Sequence, residues 1–326
     1  MKRTLVLAGT ALLLLLLILP LVAGCSAGEK KFPSKSIEWI IPFSAGGGFD
    51  VFSRAVGTEM MKDLPKEAPI VFNNVTGAAG VIAITQIYNA EPDGYTIGIM
   101  NLPGHATSQY YGEVKYDLGK CSYIGTLNAD YFCIYVSKDS PYKTIEDLQK
   151  ADGLRFAGTG FGDPTQIYGL LLAKEAGIKI DGWVQYKAAP EAFLGMMRGE
   201  VDVFNMTASH ILTQKENTRV LAIYSDKRNE MFPDIPTIGD VGLPQLAGLG
   251  VTRVVFGPPG IPAERVKTLE DVFLKAATSE TVTKWAADAK RSMDGTTNAA
   301  EARNIVEYNM ELCKKYEDVL RPELSK

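Results

Sequence analysis

Three glycine-bearing turns stand where a backbone can hold an anion. The first is Phe43-Ser44-Ala45-Gly46-Gly47-Gly48-Phe49-Asp50. The second is Gly77-Ala78-Ala79-Gly80, and the third runs Gly158-Thr159-Gly160-Phe161-Gly162. Glycine lets the backbone come close to a ligand, and the first amides of a helix have no partners within the helix. The helix dipole adds positive character there, so such turns hold carboxylate oxygens without many basic side chains. For a lone turn, the plain alternative is a tight bend with no ligand.

The catalytic inventory is thin. No G-x-S-x-G elbow and no G-x-x-x-x-G-K-[ST] phosphate loop is present. Gly158–Gly162 lacks the third glycine of a dinucleotide fingerprint. With only His105 and His210, a histidine acid–base pair has little room. His105, read as a loop residue, either donates to a ligand or is solvated or structural. No cysteine spacing fits zinc, so neither a metal nor a cofactor is expected. A net charge of −4 argues against nucleic acid.

The elements that position these turns alternate. Strands are expected over 37–41, 70–73, 95–100, 155–158, 183–186, 201–204, 220–224 and 253–256. Helices are expected over 50–62, 81–89, 144–150, 165–176, 189–198, 263–276, 280–289 and 300–320. Tyr123–Leu127 and Phe132–Val136 are two further β-favouring runs. The alternation implies an α/β protein with mostly parallel sheets and helices on both faces. Two βαβ series suggest two lobes, 36–136 with 251–326 and 137–250, linked by chain crossings near 132–136 and 251–256.

The start of the chain reads as an address. Lys2 and Arg3 precede the apolar run Leu5–Leu19, and Leu21-Val22-Ala23-Gly24-Cys25 follows. This resembles a bacterial lipobox, which implies a signal peptide over 1–24, lipidation at Cys25 and a tether over 25–35. The alternatives are an ordinary signal peptide cut near Ala27 or an anchor helix. The mature chain would keep 326 − 24 = 302 residues, enough for two domains. Cys121, Cys133 and Cys313 remain. A Cys121–Cys133 disulfide is left open, although Cys133 sits in an apolar run and reads as a buried small hydrophobe.

Several segments in order carry a resemblance. They are Phe32-Pro33-Ser34-Lys35, then Ile41–Gly48 with Asp50, Pro92-Asp93-Gly94-Tyr95-Thr96, Tyr186-Lys187 with Ala189-Pro190, Gly199–Val203, Pro233–Thr237 and Gly257–Pro262. The chain resembles the substrate-binding proteins of tripartite tricarboxylate transporters, the TctC or Bug family. The resemblance implies a two-lobed periplasmic-binding-protein fold, type II-like, closing on a small organic acid. It also implies a monomer that hands its ligand to a membrane permease and binds the bilayer only through Cys25. Carried over, the contacts are Phe43 to Asp50, Gly77 to Gly80, and Thr159, Gly160, Phe161, Asp163, Thr165 and Gln166, with His105 and Asn205.

Departures from the family pattern shape the ligand expectation. Phe49 and Asp163 stand where small hydroxyl residues are usual, Gln166 where histidine is usual, and Asn205 where aspartate is frequent. Val75–Gly80 lacks an Arg-Pro pair and one glycine. Asp163 before Pro164 reads as a helix N-cap that would compete with an anionic ligand. Phe49 and Phe161 offer an apolar wall. A monocarboxylate, an aromatic acid or an amine-bearing acid is expected over a tricarboxylate. A receptor feeding a signalling kinase and a lipid-anchored enzyme are the other classes. Asp50 is expected to orient the glycine loop or cap its helix rather than to touch the anion.

Overall fold

Ile37–Ile41, apolar and almost wholly buried, forms β1. Parallel strands bond to both of its edges: β2 (Ile70–Asn74) and β3 (Thr96–Leu102). A strand covered on both faces needs a near-continuous apolar run, and the one polar residue here, Glu38, is partly exposed and accepts from Asn73 Nδ2 at 2.9 Å. Trp39 and Ile40 point to opposite faces, as successive strand residues must. Trp39 meets Phe72, and Ile40 enters a cluster with Ile84, Met100 and Leu102.

This computed structural model describes residues 31–160, 162–229, 232–289 and 291–324. The leader, the lipobox and Cys25 lie outside them, as does Phe161. Contacts divide the chain into Met1–Ser34 and Lys35–Lys326, and the fold is that of the second unit. No helix among the described residues is long and apolar enough to cross a membrane.

The sheet has nine strands. Strand β4 (Ser122–Ser137) is its spine. Along Ser122–Tyr131 it pairs antiparallel with β9 (Gly250–Gly257), which also pairs with β3. Along Phe132–Ser137 it pairs antiparallel with β7 (Val203–Thr207) and β8 (Thr218–Ile223). Beyond β7 lie β5 (Leu154–Gly158) and β6 (Ile180–Gln185), both parallel. The fold is therefore mixed α/β. The expected parallel pairing holds within β1–β3 and β5–β7, and antiparallel strands join the two groups.

Tyr123–Leu127 and Phe132–Val136 are thus one strand of 16 residues. The polar stretch 128–130 reads as a break, yet each residue bonds in place. Asn128 Nδ2 donates to the Ser292 carbonyl, Ala129 N–H donates to Asp294, and Asp130 accepts from Ser209 N–H.

Helices α1 (Gly48–Met60), α2 (Val81–Tyr88) and α3 (Gly104–Tyr111) follow the first three strands. The second strand group carries α4 (Ile145–Lys150), α5 (Pro164–Ala176), α6 (Ala189–Met197) and the short α7 (Ile211–Gln214). The chain ends in α8 (Ala263–Ala277), α9 (Glu280–Asp288), α10 (Ala299–Lys315) and α11 (Glu317–Leu324). The expected single helix over 300–320 breaks at Tyr316, whose hydroxyl donates to Glu175 of α5 at 2.8 Å. Leu312, Tyr316 and Leu320 then share a core with Phe132, Phe156 and Leu171. His105 lies on α3 and not in the expected loop; Gly104–Tyr111 has no apolar stripe to mark a helix.

Candidate functional site

The first turn is held by Asp50. Its Oδ2 accepts from Gly46 N–H at 2.8 Å, and its Oδ1 accepts from Arg54 Nε at 2.8 Å and Asn74 Nδ2 at 3.0 Å. Asn74 also donates to the Phe43 carbonyl at 2.9 Å. Burial would raise the Asp50 pKa, but the bonds from Gly46, Asn74 and Arg54 outweigh it and hold the carboxyl below its usual value. Asp50 therefore orients the loop, as expected. It does not cap its helix: the N-cap is Gly47, and no side chain caps α1. The opening amides of α1 are left for another acceptor. Ser44, Ala45 and Gly46 are exposed, and Phe43, Gly47, Gly48 and Phe49 are partly so.

The second turn is strained. Gly77, Ala78, Ala79 and Gly80 all have positive φ, at 126°, 46°, 52° and 94°. Alanines rarely adopt this region, so the conformation has a cost that its surroundings must offset. His105 is one of those surroundings. A Cβ on Gly80 would lie 2.6 Å from His105 Nε2, so only glycine fits there. His105 is buried on α3, not solvated in a loop. Its Nδ1 accepts from Asn101 N–H at 2.9 Å, which places the proton of the neutral ring on Nε2. That nitrogen faces the Ala79 backbone without hydrogen-bond geometry. Burial pushes the His105 pKa down to about 4, so the ring is neutral at physiological pH. Phe43 links the two turns, its ring 4.6 Å from Phe49 and 6.4 Å from His105.

The third turn is closed on itself. Asp163 is the N-cap of α5: its Oδ1 accepts from Gln166 N–H at 3.1 Å and from Thr165 Oγ1 at 2.6 Å. Thr159 Oγ1 donates to the other carboxylate oxygen, and Thr159 N–H donates to Thr165 Oγ1. Gln166 is buried, with Oε1 accepting from Gly162 N–H at 2.8 Å. The polar side chains expected to meet a ligand are thus engaged in the loop, while Thr159 and Gly160 remain partly exposed.

Asn205 is buried inside the second strand group. Its Oδ1 accepts from Tyr224 at 2.7 Å, while Nδ2 has no partner. The β5–β7 register continues to place Asn205 beside Gly158, and the amide of Gln185 covers the other side of that glycine. Both polar atoms of Gln185 are also unpartnered. Gln185 was missed because an isolated glutamine at a strand end carries no pattern.

Two arginines were missed as well. Arg253 on β9 stacks over Phe49 at 4.7 Å and Phe52 at 5.1 Å, and donates to Asn128 Oδ1 at 3.1 Å. A Cβ on Gly48 would lie 3.4 Å from one guanidinium nitrogen of Arg253 and 3.9 Å from one of Arg291. Only tertiary structure brings these distant positions to the first turn. Burial, together with the nearby Arg291, lowers the Arg253 pKa to about 10, and Asp130 opposes that shift. Arg253 stays charged at neutral pH.

A separate cavity of about 310 Å³ is lined by Ser122, Ile261, Val266, Ala299 and Arg303. Arg303 there is occupied by the carbonyls of Gly119 and Cys121. None of the three turns reaches it.

Known proteins share this fold and sequence. The profile of the tripartite tricarboxylate transporter family receptor, TctC, matches residues 52–318. A UPF0065 protein of Pseudomonas sp. strain P51 is 29% identical over 75% of this chain and 74% of its own length. A TctC solute-binding protein from Polaromonas, solved without ligand, superposes with a TM-score of 0.79 at 22% identity, covering 88% of this chain and 99% of its own. MatC from Rhodopseudomonas palustris, solved with bound malate, gives 0.67 at 24% identity over 89% and 100%. An R. palustris protein solved with adipate gives 0.68 at 21% identity over 89% and 98%. These neighbours place the fold with the periplasmic binding proteins. The chain belongs to the tripartite tricarboxylate transporter receptor family.

Proposed function

We propose that this chain is an extracytoplasmic receptor that binds a small organic acid between two lobes and delivers it to a membrane permease without turning it over. Residues 36–136 with 251–326 make one lobe and 137–250 the other, and the acid bridges them. The observation that supports this most is the first turn. An uncapped helix start lies beside a glycine loop that Asp50 already holds in shape. A carboxylate there meets amides that need no rearrangement, and such preorganisation favours affinity. The second lobe contributes the backbone of Gly160, because the amides of Thr159 and Gly162 already donate to Thr165 Oγ1 and Gln166 Oε1. Contacts to both lobes favour the closed state. Lipidation at Cys25 tethers the receptor outside the cell membrane.

Titration calorimetry of the purified mature protein against a panel of mono-, di- and tricarboxylates tests this. Saturable one-to-one binding of at least one acid, recovered unchanged afterwards, is expected. Conversion of the acid to another compound, or heats that stay flat across the panel, refutes the reading.

A further inference from the structure

Arg253 and Arg291 are the unexplained feature of the first turn. Both are partly buried, and both approach the start of α1 within contact distance of where a Gly48 side chain would be. Both lie over Phe52, Arg253 at 5.1 Å and Arg291 at 5.5 Å. Two like charges repel, and their convergence needs compensation. Among the described residues neither has an ion pair within 4 Å. Asp130 favours the charged form of Arg253 from farther away, but its Oδ1 already accepts from Ser209 N–H at 3.3 Å. Counting the two guanidiniums against Asp130 leaves one positive charge in excess. Arg253 Nε is buried without a partner. Arg253 is fixed in place: rings lie under it, and Asn128, tied to the Ser292 carbonyl, holds its Nη1.

We propose that Arg253 and Arg291 form an anion-receiving floor to the ligand site and select acids charged at both ends. One carboxylate of a dianionic acid takes the amides at the start of α1, and the other takes the Arg253 fork with Arg291 beside it. A guanidinium fork matches a carboxylate geometrically, and bonds between ionised partners are the strong ones. A monocarboxylate leaves the floor charge uncompensated. This departs from the monocarboxylate that Phe49 and Asp163 suggest: the Phe49 ring serves as the platform for Arg253 as well as an apolar wall. The inference rests on the receptor function proposed above and adds the charge class of the ligand.

Calorimetry of the mature protein with succinate, malate and adipate against propionate, butyrate and benzoate tests it, on wild type, Arg253→Gln, Arg253→Lys and Arg291→Gln. Wild type is expected to bind the best diacid at least roughly tenfold more tightly than any monoacid. Arg253→Gln should lose roughly tenfold to a hundredfold for diacids while monoacid binding stays within about threefold. Arg253→Lys, which keeps the charge but not the fork, should fall between. Arg291→Gln checks the result should Arg253→Gln fold poorly; it too should lower diacid affinity selectively. Equal losses for both acid classes would make the arginines mere supports of the turn and overturn the proposal. So would a wild type indifferent to ligand charge, although the receptor function would stand. If the wild type binds no acid, both fall together.

Discussion

Every polar neighbour of the Asp50 carboxylate is a donor: Gly46 N–H, Arg54 Nε and Asn74 Nδ2. An amide in its place offers one acceptor oxygen and turns an N–H₂ toward the remaining donors. Asp50→Asn should therefore lower stability by about 1–3 kcal/mol and weaken acid binding through a looser first turn. The pH dependence has a definite sign. The folded pKa of Asp50 is lowered, so its contribution is complete above the unfolded value near 4 and is lost as pH falls through the folded value. Urea melts of wild type and Asp50→Asn should differ at pH 7 and converge as the pH drops below about 4. A gap that persists unchanged into that range would mean that packing, not charge, explains the effect. Asp50 could be read from its place after three glycines. Arg253 could not, because its relation to Phe49 exists only once β9 lies near the start of α1.

At the scale of elements, α1 and α5 treat their starts in opposite ways. Helix α1 begins at Gly47 with no side-chain cap, while α5 begins at Asp163, whose carboxylate takes the Gln166 amide and two threonine hydroxyls. Serine caps a helix about as well as aspartate but carries no charge. Asp163→Ser should thus keep thermal stability within about 1 kcal/mol and raise the affinity for carboxylates by removing a negative charge beside the third turn. Calorimetry decides it: unchanged or weaker binding would place the Asp163 charge outside the ligand's field. The cap was legible because Asp163-Pro164 precedes a helical period. The strands β1 and β5 were legible because they are short, mostly apolar and mostly buried runs, whereas β2, at the sheet edge, showed only as a brief β-favouring run. The sixteen-residue β4 was not, since Asn128 and Asp130 look like a break until their bonding partners from 209 and 292 arrive. Helix α3 escaped for the converse reason: its buried face includes His105 and Thr107 in place of an apolar stripe.

For the whole molecule, β4 raises the question of whether the two strand groups open separately. Tyr123 near its start packs with Met100 and Val254, whereas Phe132 and Ile134 pack with Phe156 and Leu171. The three described cysteines are free and buried, and they sample both regions. Cys121 and Cys313 lie in the first cluster, and Cys133 lies beside Phe193 and Phe204 in the second group. Cys121 and Cys133 stand twelve positions apart along extended chain, roughly 40 Å, too far for the disulfide left open by the sequence. Burial pushes the Cys121 and Cys313 thiols up to about 12 and holds that of Cys133 well above its ordinary value. Since the thiolate is the reactive form, none should label in the folded protein. Opening the second group alone would strip β7 and β8 from half of a continuous strand and lift Tyr316 and Leu320 off α5. We therefore expect all three thiols to label with the same dependence on denaturant, followed by peptide mapping. A bound acid at about 100 times its Kd should slow all three by roughly a hundredfold, because it binds only the folded protein. Faster labelling of Cys133 alone, or protection confined to it, would show instead that the second lobe opens as an independent unit and that β4 does not couple the two.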